Sequence, residues 1–336
     1  MMVKRMCPSR VRRSVAVGWF GVVAILIGTG VATAQSQAGT WSVPRTAFGQ
    51  PDLQGVWDFA SITPMERPEE FAGKAFMTAE EAAAYEARRF ALVDHDTDVG
   101  AESVCPGTGN YNEFWYDRGY GTGARVRRTS LVIDPPDGRI PAYTALALAR
   151  RRAAAEAQRG RGPADSHETL GLGTRCILGF NAGPPMLPSA YNNNVQLFQT
   201  PDHVVIFNEM VHDPRVVPLD GRAQLPADVR QLSGDSRGWW DGDTLVVETT
   251  NFSGQAGVRG STDRLRLVER FTRVGPDSLV YRFTVDDPTT FTTSWTAEVP
   301  MIRTPGPLYE YACHEGNYGM EGILAGTRAE ERAAVR

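Results

Sequence analysis

From Val195 onward the apolar residues recur mostly at every second position. The runs are short and separated by clusters such as Asp213-Pro214, Trp240-Asp241-Gly242-Asp243 and Gly275-Pro276-Asp277. A two-residue period is the side-chain period of a strand with one buried face. The runs 195–200, 203–211, 215–219, 243–250, 264–273, 278–286 and 291–299 are therefore expected to be strands, joined by tight turns into an antiparallel meander. Parity tests the reading. In 264–273 the apolar face is Leu265, Leu267 and Phe271; in 278–286 it is Leu279, Tyr281, Phe283 and Val285. A three-residue loop at Gly275-Pro276-Asp277 pairs Phe271 with Tyr281 and Leu267 with Val285, so the apolar faces coincide, whereas a two-residue loop sets apolar against polar.

Upstream the pattern is less regular. Asp52 to Phe59 places Leu53, Trp57 and Phe59 on one face and predicts a first strand. Thr78-Ala79-Glu80-Glu81 is a capping box that opens an Ala-rich helix to about Val93. Arg128 to Asp134 predicts a short strand stopped by Pro135-Pro136-Asp137-Gly138. Residues 144–158 predict a second helix, Arg- and Ala-rich on most faces and hence solvent-exposed. Residues 100–124 and 159–194 hold no clean period and are expected to be structured loops. The fold class is mainly β: a meander that closes into a barrel, the usual way to remove its edges. A single domain over 51–326 carries a helical and loop insertion at about 60–194, between a polar leader at 35–50 and a polar tail at 327–336.

The first 34 residues follow another logic. Lys4, Arg5, Arg10, Arg12 and Arg13 precede a charge-free apolar stretch from Ser14 to Val31, and Ala32-Thr33-Ala34 supplies a small-residue cleavage site. That layout predicts a signal peptide cut after Ala34 and a periplasmic or secreted protein without stable membrane insertion; a single membrane anchor is the alternative. Removing these five of the 35 basic residues leaves 30 against 39 acidic, a formal charge of −9. An acidic chain with two lysines, Lys4 and Lys74, offers nothing to nucleic acid. Of the four cysteines, Cys105, Cys176 and Cys313 follow the leader. In an oxidising compartment one pair can close, and Cys176 with Cys313 is the preferred pairing, though spacing leaves the other pairings open.

Some phrases resemble known proteins. Gly55-x-Trp57 on the first strand, followed by antiparallel strands, resembles the calycin superfamily of lipocalin-like barrels, and implies that Trp57 closes one barrel end. The insertion between the first and later strands departs from that pattern. Asp52-Leu53-Gln54-Gly55-Val56-Trp57, Gly183-Pro184-Pro185-Met186, Gly234-Asp235-Ser236-Arg237-Gly238 and Tyr311-Ala312-Cys313-His314-Glu315-Gly316-Asn317-Tyr318 resemble a broad family of exported bacterial proteins. That resemblance implies architecture and export, not an activity.

Candidate chemistry follows from the same parity. Glu269 shares a face with Leu265, Leu267 and Phe271, and Glu209 with Val205, Phe207 and Val211. On the interior of a barrel, desolvation raises a carboxyl pKa toward the range of a general acid or base. The plainer reading pairs each carboxylate with an arginine. Glu209-x-x-His212 has the spacing of metal ligands on a helix, but on a strand its members face opposite sides. A metal site therefore needs His203, His212 and His314 to converge, and neither a metal nor another cofactor is expected. Tyr191-Asn192-Asn193-Asn194 offers hydrogen bonds to a ligand or simply forms a turn. The aromatic segment around Trp115 suits stacking on a flat molecule or anchoring of the insertion. Walker and H-E-x-x-H signatures are missing.

These observations predict an exported lipocalin-like protein that holds a small apolar or aromatic molecule in a barrel pocket lined by Trp115, Tyr191, Asn193, Phe207, Phe283 and Trp295. The alternative is a cofactor-free acid–base enzyme of isomerase, lyase or hydratase type, with Glu209 or Glu269 as base and His212 or Tyr281 as acid. A structural envelope protein is the third possibility, and an interior filled by large side chains favours it.

Overall fold

The computed structural model describes residues 41–93, 117, 127–162 and 164–334. The expected signal peptide, Cys105 and Trp115 lie outside the described residues. The ten strands are β1 (Gly55–Asp58), β2 (Val132–Asp134), β3 (Asn194–Gln199), β4 (His203–Asn208), β5 (Pro214–Pro218), β6 (Asp235–Asp241), β7 (Thr244–Thr250), β8 (Arg266–Gly275), β9 (Ser278–Asp286) and β10 (Trp295–Thr304). Three α-helices, α1 (Ala79–Val93), α2 (Ala145–Ala157) and α3 (Tyr318–Ala334), and short 3-10 turns complete the described elements. Helix α1 opens on the predicted capping box: the Glu81 amide donates to Thr78 Oγ1 at 3.2 Å, and the Thr78 amide to Glu81 Oε2 at 2.8 Å. Thr144 caps α2 by accepting from the Ala147 amide at 3.0 Å, and Ala147 is the one buried residue of that helix.

All strands join one antiparallel sheet in the order β5-β4-β3-β1-β10-β9-β8-β7-β6, with the short β2 also on β10. In the β8–β9 hairpin Leu267 faces Val285 and Phe271 faces Tyr281. The chain reaches that register by a different route from a three-residue loop. Pro276 and Asp277 alone make the turn between Gly275 and Ser278, and the register shifts between Arg273 and Gly275, where Val274 stands exposed. A bulge supplies the extra residue.

The expected barrel is corrected to an unclosed sheet. Strands β5 and β6 end it, and no backbone ladder joins them. The two ends meet through side chains instead. Gly238 on β6 leaves room for β5 and the residue after it: a Cβ there would lie 2.9 Å from Val217 Cγ1 and 2.7 Å from Leu219 Cδ2. The sheet is thus rolled around a core, with alternate residues of every long strand pointing inward.

That core is solid and aromatic. Trp57, Phe271, Tyr281, Phe283 and Trp295 are fully buried. Ring centres are 4.8 Å apart for Phe271–Tyr281, 5.6 Å for Tyr281–Phe283 and 5.8 Å for Phe283–Trp295. Trp57 donates its indole N–H to the Leu53 carbonyl at 2.9 Å, and the Arg303 and Arg273 guanidinium carbons lie 4.8 and 5.8 Å from its ring centre. Stacked cations over a buried indole anchor the start of β1.

Three further expectations change. Residues 203–211 are not one strand: β4 stops at Asn208, and residues 210–212 form a 3-10 turn in which Val211 and His212 take positive φ values of 61° and 58°. The inward face of β4 is Val204, Ile206 and Asn208, the opposite parity to the expected one, so Val205 and Phe207 lie on the outer face. Strand β6 was not expected, and neither was α3, which takes in most of the supposed polar tail. Helix α3 buries no residue and is tethered at its start by a disulfide between Cys176 and Cys313, whose Cα atoms are 5.6 Å apart.

Candidate functional site

A polar chain crosses the interior of the roll. Glu269 on β8 is fully buried and holds Arg215 of β5 through both oxygens: Arg215 Nη2 donates to Oε1 at 2.8 Å and Nη1 to Oε2. Tyr281 on β9 donates its hydroxyl to Glu269 Oε1 at 2.7 Å and accepts from the Met186 amide at 3.1 Å. Arg215 also approaches Thr249 of β7 at 3.5 Å, and Thr249 exchanges a 2.9 Å hydrogen bond with Ser236 of β6. Bidentate pairing of this kind satisfies a carboxylate that burial alone leaves costly.

The electrostatics follow. Burial would lower the Arg215 pKa, but the Glu269 carboxylate outweighs it and raises the value overall. The Tyr281 phenol is held well above its ordinary value, first by burial and then by the neighbouring Glu269 charge. Neither group exchanges protons near neutrality. The structure places Glu269, expected as a base, as the ion-pair partner of Arg215, and Tyr281, expected as an acid, as a hydroxyl donor to Glu269, both buried in the core.

Glu209 is not inside the roll. It sits where β4 ends, buried at 6% exposure against the outer face, and accepts from Asn194 Nδ2 at 2.8 Å. It adds to the charges of Asp117 around Asp58, whose pKa is raised chiefly by burial and then by these two carboxylates, against the lowering hydrogen bond from Ala60. His212 packs edge-on to Phe207 at 4.5 Å, His203 pairs with Asp202 at 3.0 Å on the surface, and His314 lies exposed before α3. Among the described residues no three His, Cys, Asp or Glu side chains are grouped to hold a metal ion.

The expected ligand residues divide. Phe283 and Trp295 belong to the packed core, and Phe207 to the outer face. Asn193 is fully buried and serves the local turn: Nδ2 donates to Asp117 Oδ2 and the Ser189 carbonyl, each at 2.9 Å, and Oδ1 accepts from the Ser189 amide at 2.8 Å. Tyr191 stands edge-on to Phe180, ring centres 5.6 Å apart. Phe180 leads to an open cavity.

That cavity is a groove of about 380 Å³ between the segments 172–187 and 255–259. Leu172, Leu178, Phe180, Leu187 and Val258 give it apolar walls, and the buried Pro184 and Pro185 lie on it too. The turn there requires glycine: Gly183 has φ +77°, and a Cβ on it would come within 2.4 Å of the Pro185 carbonyl carbon. The next residue, Met186, is the one whose amide reaches Tyr281, so the polar chain of the core fixes this side of the groove. Gln255 and Arg259 are its polar side chains. In the sequence, Gly183-Pro184-Pro185 stands in a segment without period and in a phrase that carries a family resemblance, with no mark of a groove. Arg215 and the groove residues carry no periodic signal that could have marked them. A second hollow of about 510 Å³ lies between 173–176 and the start of α3, around the disulfide.

No family model matches the chain, and no curated protein does. Among solved structures, a mutant of the fluorescent protein UnaG is similar at 14% identity over 34% of this chain and 72% of that one, with a TM-score of 0.22. An overlap that slight carries neither fold nor ligand across.

Proposed function

We propose that the protein is an exported small-molecule binder whose ligand, a small apolar or aromatic molecule, lies in the groove between 172–187 and 255–259. The observation that carries this reading is the groove itself: about 380 Å³, apolar-walled, with few polar groups. That volume falls at the lower end of the range for small-molecule sites, roughly 300–1,000 Å³. The packed aromatic interior favours this location over a pocket within the roll. Export is supported by the charged, apolar and small-residue layout of the first 34 residues and by the bonded Cys176–Cys313 pair.

The test is titration with the neutral fluorescent probe N-phenyl-1-naphthylamine. The mature chain is expected to bind it saturably, and Ala256→Trp, which fills the groove from a partly exposed position, is expected to abolish binding while the melting temperature holds. Saturable binding that persists in Ala256→Trp overturns the location. No saturable binding at all overturns the function.

A further inference from the structure

The groove is apolar along most of its length, but one end is cationic. Arg259 lines it, takes a φ of 54° within the 3-10 turn Val258–Gly260, and has no hydrogen bond or ion pair from its guanidinium among the described residues. No aspartate or glutamate lines the groove. A second arginine approaches the same end from α2. Arg151 Nη1 lies 3.6 Å from where a Cβ on Gly260 would stand, and its guanidinium carbon sits 4.7 Å above the Tyr143 ring. Tyr143 in turn donates its hydroxyl to the Arg259 carbonyl at 3.1 Å, which pins the Arg259 backbone without using its side chain. Several other surface arginines are ion-paired: Arg266 with Glu248, Arg270 with Asp241 and Arg282 with Glu298. The apolar groove thus ends on two guanidinium groups that have no carboxylate partner among the described residues.

Resting on the groove reading above, we infer that the groove takes an amphipathic carboxylate: an aliphatic or aromatic body against Leu178, Phe180 and Val258, with its single negative group on Arg259 and Arg151 as a reinforcing charge. The chemistry matches at both ends. An apolar body is removed from water by the walls. A carboxylate meets a planar guanidinium whose donors suit it in pairs. A cationic or polyhydroxylated molecule finds no counterpart there. The groove fits a body the size of an eight-carbon chain or a naphthalene ring.

The test measures displacement of N-phenyl-1-naphthylamine by two matched pairs, octanoate against octanamide and 2-naphthoate against 2-naphthamide. The intact protein is expected to favour each acid over its amide by about tenfold or more, the scale of one charge-assisted hydrogen bond. The preference should shrink with added salt. In Arg259→Gln the ratio is expected to fall toward one, while Arg259→Lys retains part of it and Arg151→Gln loses a smaller part. Equal displacement by acid and amide in the intact protein overturns the carboxylate inference and leaves the groove reading standing. So does an acid preference that survives in Arg259→Gln. Failure of the neutral probe to bind at all overturns the groove reading itself. The two pairs also separate an aliphatic from an aromatic body.

Discussion

Glu269→Gln tests the central claim about the interior. The substitution keeps the side chain's shape but removes its charge and turns one oxygen into an amide nitrogen. Whichever way that amide lies, its nitrogen meets donors, since Arg215 offers Nη1 and Nη2 and Tyr281 offers its hydroxyl. The Arg215 guanidinium, with 13% of its side chain exposed, keeps a charge it cannot hydrate. Breaking a buried ion pair from one side costs about 3–5 kcal/mol. At roughly 2–4 °C per kcal/mol for a large domain, the melting temperature should fall by about 10 °C. Urea unfolding gives the free energy directly. Replacing both partners, Glu269→Leu with Arg215→Met, removes the stranded charge, and the double variant should be more stable than Glu269→Leu alone by about 2–3 kcal/mol of coupling. The reasoning is refuted if Glu269→Gln stays within 1 kcal/mol of the original chain, or if the double variant shows the plain sum of the single losses. Loss of turnover with stability intact would instead restore Glu269 to a catalytic role.

Other outcomes follow from the same structure. The Tyr281 phenol is raised by burial and by Glu269, so its contribution is complete below about pH 10 and is lost as pH climbs through the folded-state value; alkaline melting curves should fall more steeply for the original chain than for Tyr281→Phe. Asp58 is raised by burial and by Asp117 and Glu209, so its ionised form opposes folding at neutrality. Asp58→Asn should therefore raise the melting temperature at pH 7, with the gain vanishing as pH drops below the carboxylate range. The Cys176–Cys313 bond spans 137 residues, for which chain entropy sets an upper contribution of about 5 kcal/mol. Replacing both cysteines with alanine should lower stability by up to that amount and expose α3 to limited proteolysis, read by mass spectrometry. Gly238→Ala places a methyl group against Val217 and Leu219 and should cost about 1–3 kcal/mol in urea unfolding.

Where one face of a strand was apolar and the other polar, the sequence was a sufficient guide. Leu267, Phe271, Tyr281 and Val285 alternate mostly with charged and hydroxyl residues, Val268 and Val280 apart, so the β8–β9 register could be read even though the turn achieves it with a bulge. Val204-Val205-Ile206-Phe207 is apolar on both faces, because Val205 and Phe207 join Phe198 and Val216 outside the roll. Parity is undefined in such a run, and that is why Glu209 was assigned to the interior. Strand β6 presents Ser236, Gly238 and Trp240 inward, small where β5 presses against it, and so lacks the apolar signature of a strand. Helix α3 carries Gly319, Gly322 and Gly326, which lower its helix propensity, and its apolar face at Met320 and Leu324 is only half-buried. The partner of Glu269 was invisible for a further reason. Arg215 is one arginine among many, and only the rolling of the sheet brings β5 opposite β8.

The facing ends of β5 and β6 have a consequence for how the molecule opens. Every other neighbouring pair of long strands is stitched by backbone hydrogen bonds, but this line is held by Val217, Leu219 and the reach of Arg215 to Glu269. Parting it breaks no ladder, so it is the lowest-energy seam for a local fluctuation. In deuterium exchange the amides of β5 and β6 that point along this seam form the fast class, and those of β9 and β10, paired on both sides, the slow one. The roll breathes like a cuff with a clasp. The Arg215–Glu269 pair is the clasp, and solvent is expected to enter the core first where it lets go.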